Sequence, residues 1–112
     1  MSTDLGKLRS LLKNTGYAVF RDKAPANTSY PYIVYSFVSE DIKHASSRPF
    51  KYLPLYQVSL FTTGTERDFK SILNMLNGNG VPTSSVMAIV GDENDDTVTN
   101  YFVNARVVEN AE

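Results

Sequence analysis

The sequence predicts a single α+β domain over residues 1–112, in the order α-β-β-β-α-β-β, with two helices packed on one face of a mainly antiparallel sheet. Two segments repeat apolar residues at helical spacing, and the other structured segments are rich in β-branched and aromatic residues. With 42% hydrophobic and 21% charged side chains, a chain of 112 residues can bury one core without disulfides or metals.

The first helix is predicted close to residue 1. Its apolar face consists of Leu5, Leu8, Leu11 and Leu12. Ser2 or Thr3 is expected to cap it, and Asp4 suits the positive end of the helix dipole. Gly16 stands where a left-handed residue ends such a helix.

Three strands are predicted next. A short strand at 17–20 is followed by a loop at 21–29, and a strong strand rich in aromatic and β-branched residues occupies 30–38. A polar insertion at 39–51 separates it from the next strand, at 52–62. A connection of that length predicts an extended hairpin arm or an ordered loop, and such loops are commonly functional or mobile.

The second helix and a final hairpin complete the pattern. Residues 63–65 end the third strand and cap a helix whose apolar residues are Phe69, Ile72, Leu73 and Leu76. Asn77 to Gly80 stop this helix, and Pro82 prevents its continuation. Strands at 85–90 and 97–108 flank an acidic turn, and 109–112 is predicted to be a polar tail.

The predicted sheet is apolar on both faces. Tyr32 and Val34 point one way in their strand, whereas Ile33, Tyr35 and Phe37 point the other way. Two helices cover only one face, so the second face either meets another subunit or is covered by loops.

Nothing in the sequence identifies catalytic chemistry. Cysteine is absent and His44 is the only histidine, so we predict no catalytic, cofactor-binding or metal-binding residues and no enzyme. The acidic turn departs from a calcium loop, because Thr97 stands at the glycine position and Val103 at the position of the bidentate carboxylate. The sequence shows neither a signal peptide nor a membrane span.

Charge is divided unevenly between the two halves of the chain. Residues 1–56 carry eight basic and four acidic side chains, whereas 57–112 carry three basic and eight acidic ones. Such a chain can pair head to tail with its own copies and close into a ring, unless the halves intermix in space. The candidate interface residues are Lys43, His44, Arg48 and Lys51 in the insertion and Asp92, Glu93, Asp95 and Asp96 in the acidic turn. The basic group either contacts phosphate or an acidic partner, or is a solvated loop.

Three segments carry a resemblance to a known family. They are Pro-Tyr-Ile-Val-Tyr at 31–35, Tyr-Gln-Val-Ser-Leu-Phe-Thr at 56–62 and Thr-Glu-Arg-Asp-Phe at 65–69, placed after a leucine-bearing helix and around a polar arm. In this order they resemble the tail-completion, or tail-terminator, proteins of long-tailed bacteriophages, which join tail to head.

The resemblance implies a homohexameric ring with no catalytic residues. Such a ring caps the finished tail tube and offers a surface to the head-completion or connector protein, with the arm meeting neighbouring subunits or the tube. DNA would pass through the lumen without specific binding, past the acidic half of the chain. The expected location is the virion tail or neck, after assembly in the host cytoplasm and without a membrane.

Three alternatives stay open at this point. One is a head-side neck or connector protein of the same virion. Another is a nucleic-acid-binding module that uses sheet tyrosines and the basic arm. The third is a small enzyme, which would need a pocket holding a perturbed titratable group.

Overall fold

The structure, a computed structural model, describes residues 3–45, 48–91 and 97–110. The elements are α1 (Leu5–Lys13), β1 (Ala18–Arg21), β2 (Tyr32–Ala45), β3 (Arg48–Thr62), α2 (Arg67–Gly78), β4 (Met87–Val90), β5 (Thr99–Arg106) and β6 (Glu109–Asn110). The predicted α+β class and the order of the first seven elements are confirmed.

All strands belong to one sheet, in the order β1-β2-β3-β5-β4, and β6 pairs with β3 beyond the end of β5. Among the described strands, β1 and β2 are paired in parallel, because the loop between them leads the chain back past β1 so that β2 starts beside the beginning of β1. Every other pairing is antiparallel. Strands β1 and β4 therefore form the two edges of the sheet.

The polar insertion at 39–51 extends the two central strands. Strands β2 and β3 have 14 and 15 residues and stay paired to the last described residues, Ala45 and Arg48. The predicted strand ends at 38 and 52 were therefore wrong, because polar side chains do not interrupt a ladder of backbone hydrogen bonds. We call this hairpin, residues 39–45 and 48–54, the arm.

The arm makes the molecule elongated. The principal extents are 52 × 27 × 23 Å, and the radius of gyration is 15.1 Å, against about 13 Å for a compact domain of this length. A bulge between Phe37 and Ser39 marks the point where the arm leaves the domain, and a second irregularity lies between Lys43 and His44.

The helix ends differ in detail from the prediction. Asp4 caps α1 by accepting a hydrogen bond from the Lys7 backbone N–H at 2.8 Å, whereas the carbonyl of buried Thr3 accepts from the Val108 N–H at 2.9 Å. Ser2 lies outside the described residues. Gly16 has the predicted positive φ, +91°. The cap of α2 predicted within 63–65 was wrong: the N-cap residue is Glu66, whose side chain makes no capping hydrogen bond, and the Thr65 hydroxyl accepts from the Arg67 N–H only at 3.4 Å.

Both helices pack on one face of the sheet, as predicted. They contribute Leu8, Leu11, Leu12, Phe69, Ile72 and Leu76, all buried, to a core completed by Ile33, Tyr35, Tyr56, Val58, Leu60, Val81, Val103, Ala105 and Val107. The Tyr17 hydroxyl donates to the Asp68 carbonyl at 3.1 Å and so ties the α1–β1 connection to α2.

The opposite face, here called the open face, carries no helix in the described part of the chain. The register places Tyr32 beside Phe61 on this face and Val34 beside Ser59. A loop covers part of it, because the Tyr30 ring stacks on Tyr32 at 5.5 Å. Phe61 and Phe102 lie here, so they do not share a face with Ile33 and Tyr35.

The last segment departs furthest from its prediction. Strands β4 and β5 are shorter than the predicted 85–90 and 97–108. The Val107 N–H still donates to the Pro54 carbonyl in the register of the ladder, but Pro54 has no N–H to donate in return, and β5 ends at Arg106. Part of the predicted polar tail is strand β6, in which Glu109 pairs with Tyr52 and Asn110 with Lys51. The backbone N–H and C=O groups of β3 that lie beyond its pairing with β5 are the partners of β6.

Candidate interaction surfaces

The basic residues predicted as interface residues come together at the distal part of the arm. Lys43 stands directly opposite Lys51, and Arg48 opposite Ala45, while His44 follows Lys43 on β2. Lys43, His44 and Arg48 are exposed, and Lys51 is half-buried. The facing lysines therefore concentrate positive charge on one side of the distal part of the arm.

The acidic group of the prediction lies outside the described residues. Asp92, Glu93, Asp95 and Asp96 all fall in 92–96, so their place relative to the arm stays a prediction. The expectation that this turn is no calcium loop falls on the same residues. The carboxylates and the histidine of the described chain form no group of three or more that could hold a metal ion.

Arg106 fastens the base of the arm to the sheet. Its Nη1 donates to the Leu53 carbonyl at 2.6 Å and lies 3.6 Å from Oδ2 of Asp41, so it reaches both strands of the arm. Leu53 and Pro54 lie between the parts of β3 that pair with β5 and with β6. The Leu53 carbonyl accepts from the Arg106 side chain, and the Pro54 carbonyl accepts from the Val107 N–H. These two bonds attach the base of the arm to the segment that follows β5.

An exposed apolar patch lies on β2 along the arm and at its base. Phe37, Val38 and Ile42 are 51%, 47% and 47% exposed. Phe37 touches Tyr56 edge to face, and the Arg21 guanidinium stands 5.9 Å from the centre of the Tyr56 ring. Beyond Tyr56, the helices no longer cover this side of the sheet, and the apolar side chains meet solvent.

A second exposed apolar patch occupies the edge strand β4. All four of its residues are exposed, and Ile89 and Val90 reach 55% and 78%. Val86, just before the strand, is exposed as well. The strand contains no charge and no proline, the usual protections of a free edge.

The open face joins an aromatic region to a polar one. Tyr32 stacks on Phe61 at 5.2 Å, and Phe20 meets Tyr32 edge to face. The neighbouring positions include Asn100 and Asn104, whose side-chain oxygens are buried and find no hydrogen-bond partner among the described residues. The rings already stack on one another, which reduces the aromatic surface left for a ligand.

Two features escaped the sequence analysis. Arg106 alternates normally within its strand, and nothing in the pattern indicates that it reaches back to residue 53. No signal in the sequence marks the exposed edge, because a uniformly apolar run such as Met87 to Val90 is typical of a strand that is buried on both faces. No helix in the described part of the chain is long and apolar enough to cross a bilayer.

Comparison with known proteins identifies the fold alone. No family model and no curated protein matches the sequence. Among solved structures, a chain of the "Virion of native gene transfer agent (GTA) particle" is similar to this one, with a TM-score of 0.56 and 17% sequence identity. The alignment covers 93% of this chain and 84% of that chain, so the likeness extends over the whole domain.

Proposed function

We propose that this chain is a structural component of a phage-like virion, forming a homo-oligomeric ring that ends the tail tube and joins tail to head. The observation that carries the proposal is the similarity, over nearly the whole chain, to a chain from a gene transfer agent virion. The element order that resembles tail-terminator proteins adds to it.

The surfaces of the molecule suit assembly better than catalysis. The described residues hold two exposed apolar strand segments and a projecting basic arm, and none of these needs a small ligand to explain it. Exposed apolar patches on a soluble domain commonly mark protein contacts. In the proposed ring, the arm meets a neighbouring subunit or the tube, and the ring is a hexamer.

Partners and location follow from the same proposal. The ring contacts the tail tube protein on one side and a head-completion or connector protein on the other, in the tail or neck of the virion. The acidic half of the chain faces a lumen through which DNA moves, since like charge keeps phosphate from sticking. A head-side neck protein of the same virion would use the same surfaces with a different neighbour.

Solution mass and electron microscopy of the purified chain test the proposal. We expect rings of uniform diameter whose mass falls as salt rises, because opposite charges then attract one another less. A double variant, Lys43→Glu with Arg48→Glu, should weaken the rings. Lys7→Glu with Lys13→Glu, which makes the same charge change on exposed positions of α1, is the matched control.

A second candidate is a single-stranded nucleic-acid-binding module. It is favoured by one observation: the register places Lys43 and Lys51 on the same side of β2 and β3 as the stacked Tyr32 and Phe61. A monomer that binds oligonucleotides more weakly as salt rises would support this candidate against the ring. Rings that do not retain DNA at low salt would support the ring and its acidic lumen.

A further inference from the structure

The edge of the arm formed by residues 40–44 of β2 is complementary to itself. We propose that two copies of this chain pair through these edges, antiparallel and about a two-fold axis at Ile42, so that the two arms form one continuous sheet. Such a contact closes at two copies, whereas a ring is built from head-to-tail contacts, so this pairing is independent of the proposed ring.

The edge of β2 along the arm is open to another strand. Strand β1 pairs with β2 only as far as Tyr35, and β6 pairs with β3. From Phe37 to His44, the side of β2 away from β3 therefore faces no strand in the described part of the chain. Every residue of this stretch is exposed, so the arm has room for a second strand beside it.

The backbone of this edge directs hydrogen-bonding groups outwards at alternate residues. The Val107 N–H donates to the Pro54 carbonyl, so Pro54 directs its carbonyl away from β2. Two opposed residues of an antiparallel pair either both point towards each other or both point away. Glu40 stands opposite Pro54, so it directs its N–H and C=O away from β3, and the regular pairing of 40–43 gives Ile42 the same direction.

The charges of residues 40–44 select the alignment of the two edges. With the axis at Asp41, carboxylate would face carboxylate, and with the axis at Lys43, ammonium would face ammonium. With the axis at Ile42, Asp41 of each copy stands opposite Lys43 of the other. Glu40 of each copy then stands opposite His44, whose ring can donate an N–H to it. Opposite charges on directly opposed residues stabilise a sheet, and like charges destabilise it.

The same alignment suits the backbone and the apolar side chains. Ile42 of one copy meets Ile42 of the other, and both direct their N–H and C=O groups outwards, so the two residues can exchange a pair of hydrogen bonds. Ile42 is 47% exposed in the single chain, and it stands opposite the half-buried Tyr52 of β3. At the axis, these side chains from both copies lie on one face of the joined sheet and cover one another.

The pairing gives two charged side chains a further partner. Lys43 stands opposite Lys51 within its own arm, and Asp41 of the second copy would lie on the other side of Lys43. Asp41 lies 3.6 Å from Arg106, yet its side chain is 76% exposed and can accept from a lysine as well. The axis makes each of these contacts twice. The interface remains small, of the class that forms weak and reversible complexes.

Single cysteines test the pairing, because the chain has no cysteine of its own. Opposed residues that exchange backbone hydrogen bonds have Cα atoms about 5.5 Å apart, which a disulfide can span. Ile42→Cys therefore places two thiols face to face at the axis. Glu40→Cys is the matched control on the same strand, since its two copies would lie about 14 Å apart, too far for a disulfide. Both positions are exposed, and circular dichroism and thermal unfolding check that each variant folds.

Non-reducing electrophoresis after mild oxidation then gives a distinctive pattern. We expect Ile42→Cys to form disulfide-linked dimers at least about tenfold faster than Glu40→Cys or His44→Cys alone. An equimolar mixture of Glu40→Cys and His44→Cys should form the mixed dimer, because these two positions face each other across the contact.

Charge exchange tests the alignment independently. Added to Ile42→Cys, either Lys43→Asp or Asp41→Lys should slow dimer formation, because each sets like charges opposite each other twice. An equimolar mixture of these two double variants should recover the rate of Ile42→Cys, because each carboxylate then faces an ammonium again.

Two results would overturn the pairing. One is dimer formation at equal rates by Ile42→Cys and Glu40→Cys, since random collision would then account for both. The other is a mixture of the charge-exchanged variants that stays as slow as its components. Rings seen by electron microscopy without faster cross-linking at Ile42 would overturn the pairing alone, whereas faster cross-linking without rings would overturn the ring alone.

Discussion

Replacing Arg106 by methionine tests how the arm is held. The substitution keeps a long apolar side chain over the sheet but removes the guanidinium that donates to the Leu53 carbonyl at 2.6 Å. A hydrogen bond from a charged donor contributes about 1.5–3 kcal/mol, and the lower end applies because the Arg106 side chain is 30% exposed. The ion pair with Asp41, at 3.6 Å and with that carboxylate 76% exposed, adds at most about 0.5 kcal/mol.

We therefore expect Arg106→Met to lower the free energy of unfolding by about 1.5–2 kcal/mol. Urea denaturation measures this as a fall of about 1 M in the midpoint at unchanged slope. Hydrogen exchange should accelerate at the backbone amides of residues 39–45 and 48–54 more than in α1 or α2, because the arm loses its attachment while the core does not.

Asp41→Asn is the matched control for this prediction. It removes the carboxylate charge but leaves the bond between Arg106 and the Leu53 carbonyl, so its cost should stay below about 0.5 kcal/mol. An equal cost for both variants would show that the ion pair holds the arm. A cost below about 0.5 kcal/mol for Arg106→Met would show that the pairing between β2 and β3 holds the arm in place without Arg106.

Three further predictions concern the domain itself. Thr62→Val removes a hydroxyl that donates to Oδ2 of Asp68 at 2.8 Å and accepts from the Gly64 N–H. Urea denaturation should show a loss of about 2 kcal/mol in the free energy of unfolding. Thr63→Val, at the exposed neighbouring position, should lose less than about 0.5 kcal/mol. Leu76→Ala, in the fully buried face of α2, should cost about 2–5 kcal/mol and lower the thermal midpoint, and a smaller loss than that would contradict the packing described for this helix. Asn27→Ala should cost about 1 kcal/mol because its φ is +66°, whereas Asn27→Gly should be nearly neutral, and equal losses for the two would exclude backbone conformation as the cause.

The core was predictable because its physical cause is local. The leucines of α1 and the apolar positions of α2 recur at helical spacing, and in the structure they are buried except for Leu5 and Leu73, which are half-buried against the core. Aromatic and β-branched residues likewise located β2 and β3. In each case, the side chains that form the element also decide which of its faces is buried.

The arm and its attachment depend on pairings distant in the sequence. Polar alternation at 39–51 fits either a loop or a solvated hairpin, and only the ladder between β2 and β3 distinguishes them. The Arg106 side chain donates to a carbonyl 53 positions earlier in the sequence. Glu109 pairs with β3, although the sequence of 109–112 predicts a polar tail. The sequence located the basic residues of the arm but did not predict that Lys43 stands opposite Lys51, and the part of these residues in an interface stays a prediction.

The bond between the Thr3 carbonyl and the Val108 N–H has a consequence for synthesis in the cell. Val103, Ala105 and Val107 complete the core against α1 and α2, so a nascent chain lacks these contacts until this segment has left the ribosome. Folding can therefore finish only after translation has passed residue 108. Chains whose residues 103–108 are still inside the ribosome would not yet offer the surfaces proposed to join copies, so copies can meet only after this segment has emerged.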